Sequence, residues 1–160
     1  MMKIKVGRRY FTLFLPLVIL LPLIVGNLHG CYSFKTMGMR KEVVTLETTA
    51  YCACNKCCNW KRKYGCFLFP AVYASGPNKG KRKKIGITAD GNKAKKGTIA
   101  ADTRYYPFNT IMKIPGYGWG EVHDKGGAIK GHHIDLFFPS HKKALQWGRK
   151  KLKVTVYRKR

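Results

Sequence analysis

Apolar and polar residues alternate in KLKVTVY near the C-terminus. Leu152, Val154 and Val156 fall on one side of an extended chain and Lys153, Thr155 and Tyr157 on the other, the period of a half-buried strand. EVVTLETTAY, Glu42 to Tyr51, is rich in β-branched residues and predicts another strand. Between them short apolar runs recur: IGIT, TIAAD, TIMKIP, GEVHD and HIDLFF. Turn-forming stretches, ADGNKAKKG, TRYYPFN and GYGWG, separate them. One helix is predicted, with Ser140 as its cap, HKKALQW as its body and Gly148 as its stop. There is no internal repeat. Many short strands with glycine turns in about 110 residues predict a mainly β fold, a small β-barrel of about six strands with one short helix.

The N-terminal pattern is different. MMKIKVGRRY carries Lys3, Lys5, Arg8 and Arg9, and an apolar run from Phe11 to Gly26 follows, interrupted by Pro16 and Pro22. A spanning helix needs about 20 apolar residues, so residues 1–30 are expected to be an export signal rather than a permanent anchor. Two prolines and a basic flank also argue against a buried core helix. LHGC, Leu28 to Cys31, approximates the bacterial lipoprotein processing box, although His29 is unusual there. Cys31 is therefore a candidate for lipidation, with ordinary cleavage nearby as the alternative. Residues 31–41 are expected to form a tether, and 42–160 the domain, with a Cys-rich, basic loop inserted at 52–84.

Charge changes the picture next. There are 32 Lys+Arg against 7 Asp+Glu, a formal net charge of +25. Such a chain seeks an anionic partner: nucleic acid, lipid head groups or an acidic polymer. Export removes nucleic acid from that set and leaves peptidoglycan or another anionic wall polymer. Membrane contact would come through the signal segment or a lipid anchor. The expected location is the cell envelope: periplasm, outer membrane or cell wall.

Against this excess of cations, HDKGGAIKGHHIDLFF keeps two scarce carboxylates. Asp124 heads a glycine turn, and Asp135 sits among Ile134, Leu136, Phe137 and Phe138. A carboxylate in an apolar run is costly to ionise. Either strand alternation turns Asp135 to solvent, or its pKa is raised for a purpose. A carboxylic acid that stays protonated near neutral pH can serve as a proton donor. The plainer alternative is that such aspartates cap loops by accepting backbone N–H bonds, above all at Asp102.

A longer set of residues carries a resemblance. Thr49-Ala50-Tyr51, Gly86-Ile87-Thr88-Ala89-Asp90-Gly91, Ile99-Ala100-Ala101-Asp102, Pro107-Phe108-Asn109-Thr110, Asp124-Lys125-Gly126-Gly127-Ala128-Ile129-Lys130-Gly131 and Ile134-Asp135 follow one pattern. From Thr49 to about Val156 it resembles the three-aspartate (3D) domain of bacterial cell-wall enzymes. That domain also forms the C-terminal part of membrane-bound lytic transglycosylase A. The resemblance implies a double-psi β-barrel that cleaves peptidoglycan glycan strands without a metal in the chemistry. It implies Asp135 as catalytic acid, Asp124 beside it and Asp102 orienting the site. Thr49, Tyr51, Thr88, Lys130 and His133 are the expected substrate contacts. Four positions depart from the pattern: Phe108-Asn109 replaces Leu-Gly, Asp90 stands where Ser is common, and Lys125 where Thr is common. A lytic transglycosylase needs only one acid/base, because the sugar's own 6-hydroxyl attacks and leaves a 1,6-anhydro end. The alternative function is a non-catalytic cationic barrel that binds the wall.

CACNKCC and Cys66 remain. The Cys54–Cys57 spacing matches a zinc knuckle, but adjacent Cys57 and Cys58 cannot easily both reach one tetrahedral ion. Disulfides are the default in an exported protein, so Cys52, Cys54, Cys57, Cys58 and Cys66 are expected to pair, with connectivity open. No cofactor is expected, zinc at this cluster being the alternative. His123, His132 and His133 invite a metal reading too, but alternation turns His123 away if Asp124 and Asp135 face a cleft. The charges of Lys61–Lys84 read as a solvated loop. Tyr105, Tyr106, Tyr117 and Trp119 read as core or as sugar-stacking rings.

Overall fold

The computed structural model describes residues 35–159; the expected signal segment 1–30 and Cys31 lie outside the described residues. The β-branched N-terminal stretch forms β1 (Arg40–Tyr51), which starts inside the segment expected to be a tether. A four-residue helix α1 (Asn55–Cys58) and a short hairpin of β2 (Trp60–Arg62) and β3 (Ala71–Tyr73) follow. Then come β4 (Thr98–Ala101), β5 (Ile111–Ile114), β6 (Gly118–Asp124), β7 (His133–Phe137), α2 (His141–Trp147) and β8 (Lys150–Arg158).

Six strands close a barrel in the order β1-β7-β4-β6-β5-β8. Most neighbours are antiparallel, but β1 runs parallel to β7 and β4 parallel to β6. Parallel pairs need crossover connections rather than hairpins, so the barrel is interwoven instead of a simple meander. The mainly β, closed six-stranded architecture expected from the sequence is what the chain adopts. β1 is held on both sides, along β8 from Arg40↔Arg158 to Thr48↔Lys150 and along β7 from Glu47↔His133 to Tyr51↔Phe137.

Alternation fills the interior. Leu46, Ile99, Met112, Val122, Ile134, Leu136, Val154 and Val156 are fully buried. α2 adds Trp147, whose ring packs against Tyr117 and Phe138. Tyr117 is tied down by its hydroxyl, which accepts the Gly97 N–H and donates to the Phe137 carbonyl, each at 2.9 Å. α2 begins and ends where local signals say: Ser140 Oγ accepts the Lys143 N–H at 3.4 Å, and Gly148 closes it at φ +66°.

Where β6 runs beside β4, Gly120 faces Ile99; a Cβ built there would stand 2.7 Å from Ile99 Cδ1 and 3.0 Å from the Gly97 carbonyl oxygen. Asn109 takes φ +68° in the Pro107–Thr110 turn, as a residue tolerant of the left-handed region can.

Three local expectations are corrected. IGIT is not a strand; its one ladder contact is an isolated bridge, Ile87↔Lys93. Gly118-Trp119-Gly120, expected in a turn, lies within β6. The 52–84 insertion is not simply a loop, since it carries α1 and the β2–β3 hairpin.

Candidate active site

The register of β4 brings the two scarce carboxylates together. Ala100 is the partner of Asp135 on one side and of Asp124 on the other. A bulge achieves this: Ile99 pairs with Val122 but Ala100 with Asp124, so His123 is skipped. Two strand spacings separate the aspartate backbones, roughly 10 Å. Ala100 contributes only a methyl group between them, and all three residues line one cavity of about 530 Å³. Nothing in the alanine itself signalled this role.

In β7 the alternation turns Ile134 and Leu136 into the core and leaves Asp135 toward the cavity, mostly covered. Thr49, its register partner on β1, donates its hydroxyl to Asp135 Oδ1 at 2.8 Å, and that hydroxyl oxygen lies 2.9 Å from His133 Nε2. Burial pushes the Asp135 carboxyl above the usual range. The Thr49 hydrogen bond and the His133 charge act against this, and the charge of Asp124 adds to it. Burial, more than the neighbouring anion, sets the direction.

Asp124 is differently furnished. Its Oδ1 accepts the Ala89 and Lys125 N–H groups at 3.0 and 2.9 Å, and its Oδ2 accepts the Tyr51 hydroxyl at 3.0 Å. Burial and then the Asp124 charge hold Tyr51 protonated, so it remains a donor. Thr88 lines the same cavity, but its hydroxyl shares its one proton between Asp90 Oδ1 at 2.6 Å and the Asn92 carbonyl oxygen at 2.8 Å. His123 points away from the aspartate pair and bonds Asp90 at 2.7 Å. Burial raises the Asp90 carboxyl, but hydrogen bonds from Thr88, His123 and Asn92 outweigh it and bring it to about 2. The sequence did not reveal this pair, whose members are 33 residues apart.

Asp102 stands apart from these two. It accepts Arg104 Nε and Nη2 at 3.0 and 2.7 Å, and the Gly131 N–H at 3.0 Å. The Arg104 hydrogen bonds, then the Gly131 N–H, hold its carboxyl well below the usual range. It lines a smaller neighbouring pocket with Lys130, while Thr49 and His133 back Asp135 through their hydrogen bonds. Asp102 thus ties the end of β4 to the turn between Asp124 and His133. Asp102→Ala is expected to lower the melting temperature, because Gly131 loses its acceptor. With a depressed folded pKa, the stability Asp102 supplies is present above the ordinary carboxylate range and lost as pH falls through the folded value. The melting deficit of the variant should therefore shrink in acid, which thermal scans across pH would check.

The aromatic residues divide. Tyr106 is fully buried with its hydroxyl 2.7 Å from His132 Nδ1, Tyr117 belongs to the core, and Trp119 packs on Tyr157. Tyr105 is exposed.

The disulfide candidates Cys52, Cys54, Cys57, Cys58 and Cys66 carry free thiols in the structure. Cys52, Cys54 and Cys57 converge instead on His141, a residue from the far side of the chain that spacing alone could not supply. Cys58 takes no part; its thiol points to the Cys52 carbonyl at 3.1 Å.

Comparison with known proteins bears on this geometry. Residues 97–158 match the family model described as the 3D domain. Over 75 residues the chain is 37% identical to the putative cell wall shaping protein YabE and 40% identical to the cell wall-binding protein YocH, both of Bacillus subtilis (strain 168). Each match covers 44% of this chain, but only 18% of YabE and 26% of YocH. Among solved structures, MltA from E. coli is similar over 50% of this chain and 30% of its own, with a TM-score of 0.39 and 20% identity. The matched residues, 97–158, hold β4 to β8 with Asp102, Asp124 and Asp135.

Proposed function

We propose that this barrel acts on bacterial peptidoglycan in the cell envelope and cleaves its glycan strands as a lytic transglycosylase. The observation that carries the reading is Asp135: a mostly covered carboxyl held above its usual range, with one hydroxyl donor on Oδ1, at the wall of a cavity. Protonated Asp135 gives its proton to the glycosidic oxygen as the C1–O bond breaks and oxocarbenium character develops. The 6-hydroxyl oxygen then bonds to C1 and returns its proton to Asp135, so no water is consumed.

Asp124 suits a supporting role. Three donors occupy its oxygens, which makes it a poor activator of water and a fixed negative charge toward a cationic sugar ring. That favours transglycosylation over hydrolysis, which needs a second carboxylate free to act. Lys83, Lys84 and Lys125 at the cavity edge supply attraction for an anionic polymer.

The test is mass spectrometry of a wall digest, where 1,6-anhydro muropeptides are expected; reducing ends alone would mean a hydrolase. Activity should fall on the alkaline side as Asp135 deprotonates. Thr49→Val removes a donor that favours the ionised acid, so the alkaline limb should move to higher pH. Asp124→Asn removes a neighbouring anion, so the limb should move lower, and by less, because Asp124 is the weaker influence. Rate–pH profiles in which both variants move the limb the same way would discard these roles.

The name of the cell wall-binding relative YocH favours a second reading, a cationic wall-binding barrel without catalysis. Both readings expect the protein to pellet with insoluble wall, less so as salt rises. A wild type that pellets and never releases fragments would select the binder.

A further inference from the structure

We propose that Cys52, Cys54, Cys57 and His141 bind one zinc ion, which fastens the Cys-rich segment to the barrel. The four donor atoms all lie within 4.8 Å of one another. Cys52 Sγ is 3.7 Å from Cys57 Sγ, and His141 Nδ1 is 3.9, 3.5 and 3.3 Å from the sulfurs of Cys52, Cys54 and Cys57. A tetrahedral zinc with bonds of about 2.3 Å to sulfur and about 2.05 Å to nitrogen has edges of about 3.8 Å and about 3.6 Å. The thiols are therefore spaced as zinc ligands are, and far from the roughly 2.05 Å of a disulfide.

The local chain explains the convergence. Cys52 leaves the end of β1, Cys54 caps α1 and Cys57 follows one turn later, with the Cys58 N–H bonding the Cys54 carbonyl at 2.9 Å to close that turn. His141 is the first residue of α2. Adjacency of Cys57 and Cys58 is no obstacle, because only Cys57 turns inward. Three thiolates and an imidazole select a borderline-soft ion over calcium or magnesium. Four protein ligands leave no open position, so the ion is structural and takes no part in glycan chemistry. It would still bear on the cavity, since Cys57 lines it and Tyr51, the neighbour of Cys52, donates to Asp124.

The experiment is metal analysis of the full-length chain, purified in detergent under reducing conditions. About one zinc per chain is expected, and cobalt exchange should give the spectrum of a tetrahedral thiolate site. His141→Ala and Cys54→Ser should each cut retained zinc at least roughly tenfold, whereas Cys58→Ser and Cys66→Ser should keep it. His141→Cys should keep the metal and strengthen the thiolate-to-cobalt bands, which separates ligand loss from misfolding. A metal-free protein would overturn the site, as would, in protein purified without reductant, a mass about 2 Da lower for each disulfide. So would zinc that survives His141→Ala and is lost with Cys58→Ser.

Discussion

Asp135→Asn is expected to abolish release of anhydro-muropeptides at every pH while the protein still pellets with insoluble wall. An amide cannot give and recover the proton, and loss of a general acid–base typically costs about 10²–10⁴-fold in rate; here one group serves both steps, so the upper part of that range applies. The fold should not suffer. Asparagine Oδ1 can still accept the Thr49 hydroxyl that Asp135 accepts at 2.8 Å. The sign for stability follows from the raised pKa of Asp135. Its folded form is most favoured while protonated and loses stability as pH rises through that value. The amide removes this loss, so the variant should melt at or above the wild-type temperature at neutral and alkaline pH. Retained turnover in a folded Asp135→Asn protein would remove Asp135 from the chemistry.

Gly120→Val is expected to be among the most destabilising single changes in the barrel. The added branches would enter space held by Ile99 Cδ1 and Cγ1, at 2.7 and 2.8 Å from the first carbon, with the Gly97 carbonyl oxygen closing the third side. That carbonyl cannot retreat, because it accepts the Glu121 N–H at 2.8 Å across the parallel β4–β6 pair. Overpacking of this kind costs about 1–3 kcal/mol and occasionally more, a fall of roughly 4–12 °C in melting temperature for a domain of this size. Ile99→Ala in the same molecule should recover part of the loss, because the two substitutions act on one volume. Strict additivity in a thermal double-mutant cycle would show that the strain lies elsewhere.

Much of the barrel was legible because its signals are local. The alternation of Leu152, Val154 and Val156 and the Ser140 and Gly148 helix bounds needed only a few residues each. What was hidden depends on contacts across the chain. Ile87 reads like a strand residue by composition, yet its neighbours bend to deliver Ala89 N–H to Asp124. Gly118 and Gly120 read as a turn, but the close approach of Ile99 is what asks for a glycine at 120. The same holds for the site. The apolar setting of Asp135 could be seen in HIDLFF, whereas its Thr49 donor depends on a strand register spanning 86 residues. The thiols were visible, but His141 is 84 positions from Cys57.

The position of β1 also governs the order in which this protein can assemble. First of the six barrel strands in the chain, it pairs with the fifth and sixth of them, β7 and β8. Until those strands exist its backbone donors and acceptors have no ladder to join, and an unpaired edge rich in β-branched residues invites association with other chains. Closure must wait for contacts about a hundred residues apart, which belongs to the slow, millisecond-to-second regime of folding. A chain halted before Lys150 would leave β1 and β5 each short of a neighbour, two open edges where the complete barrel has none.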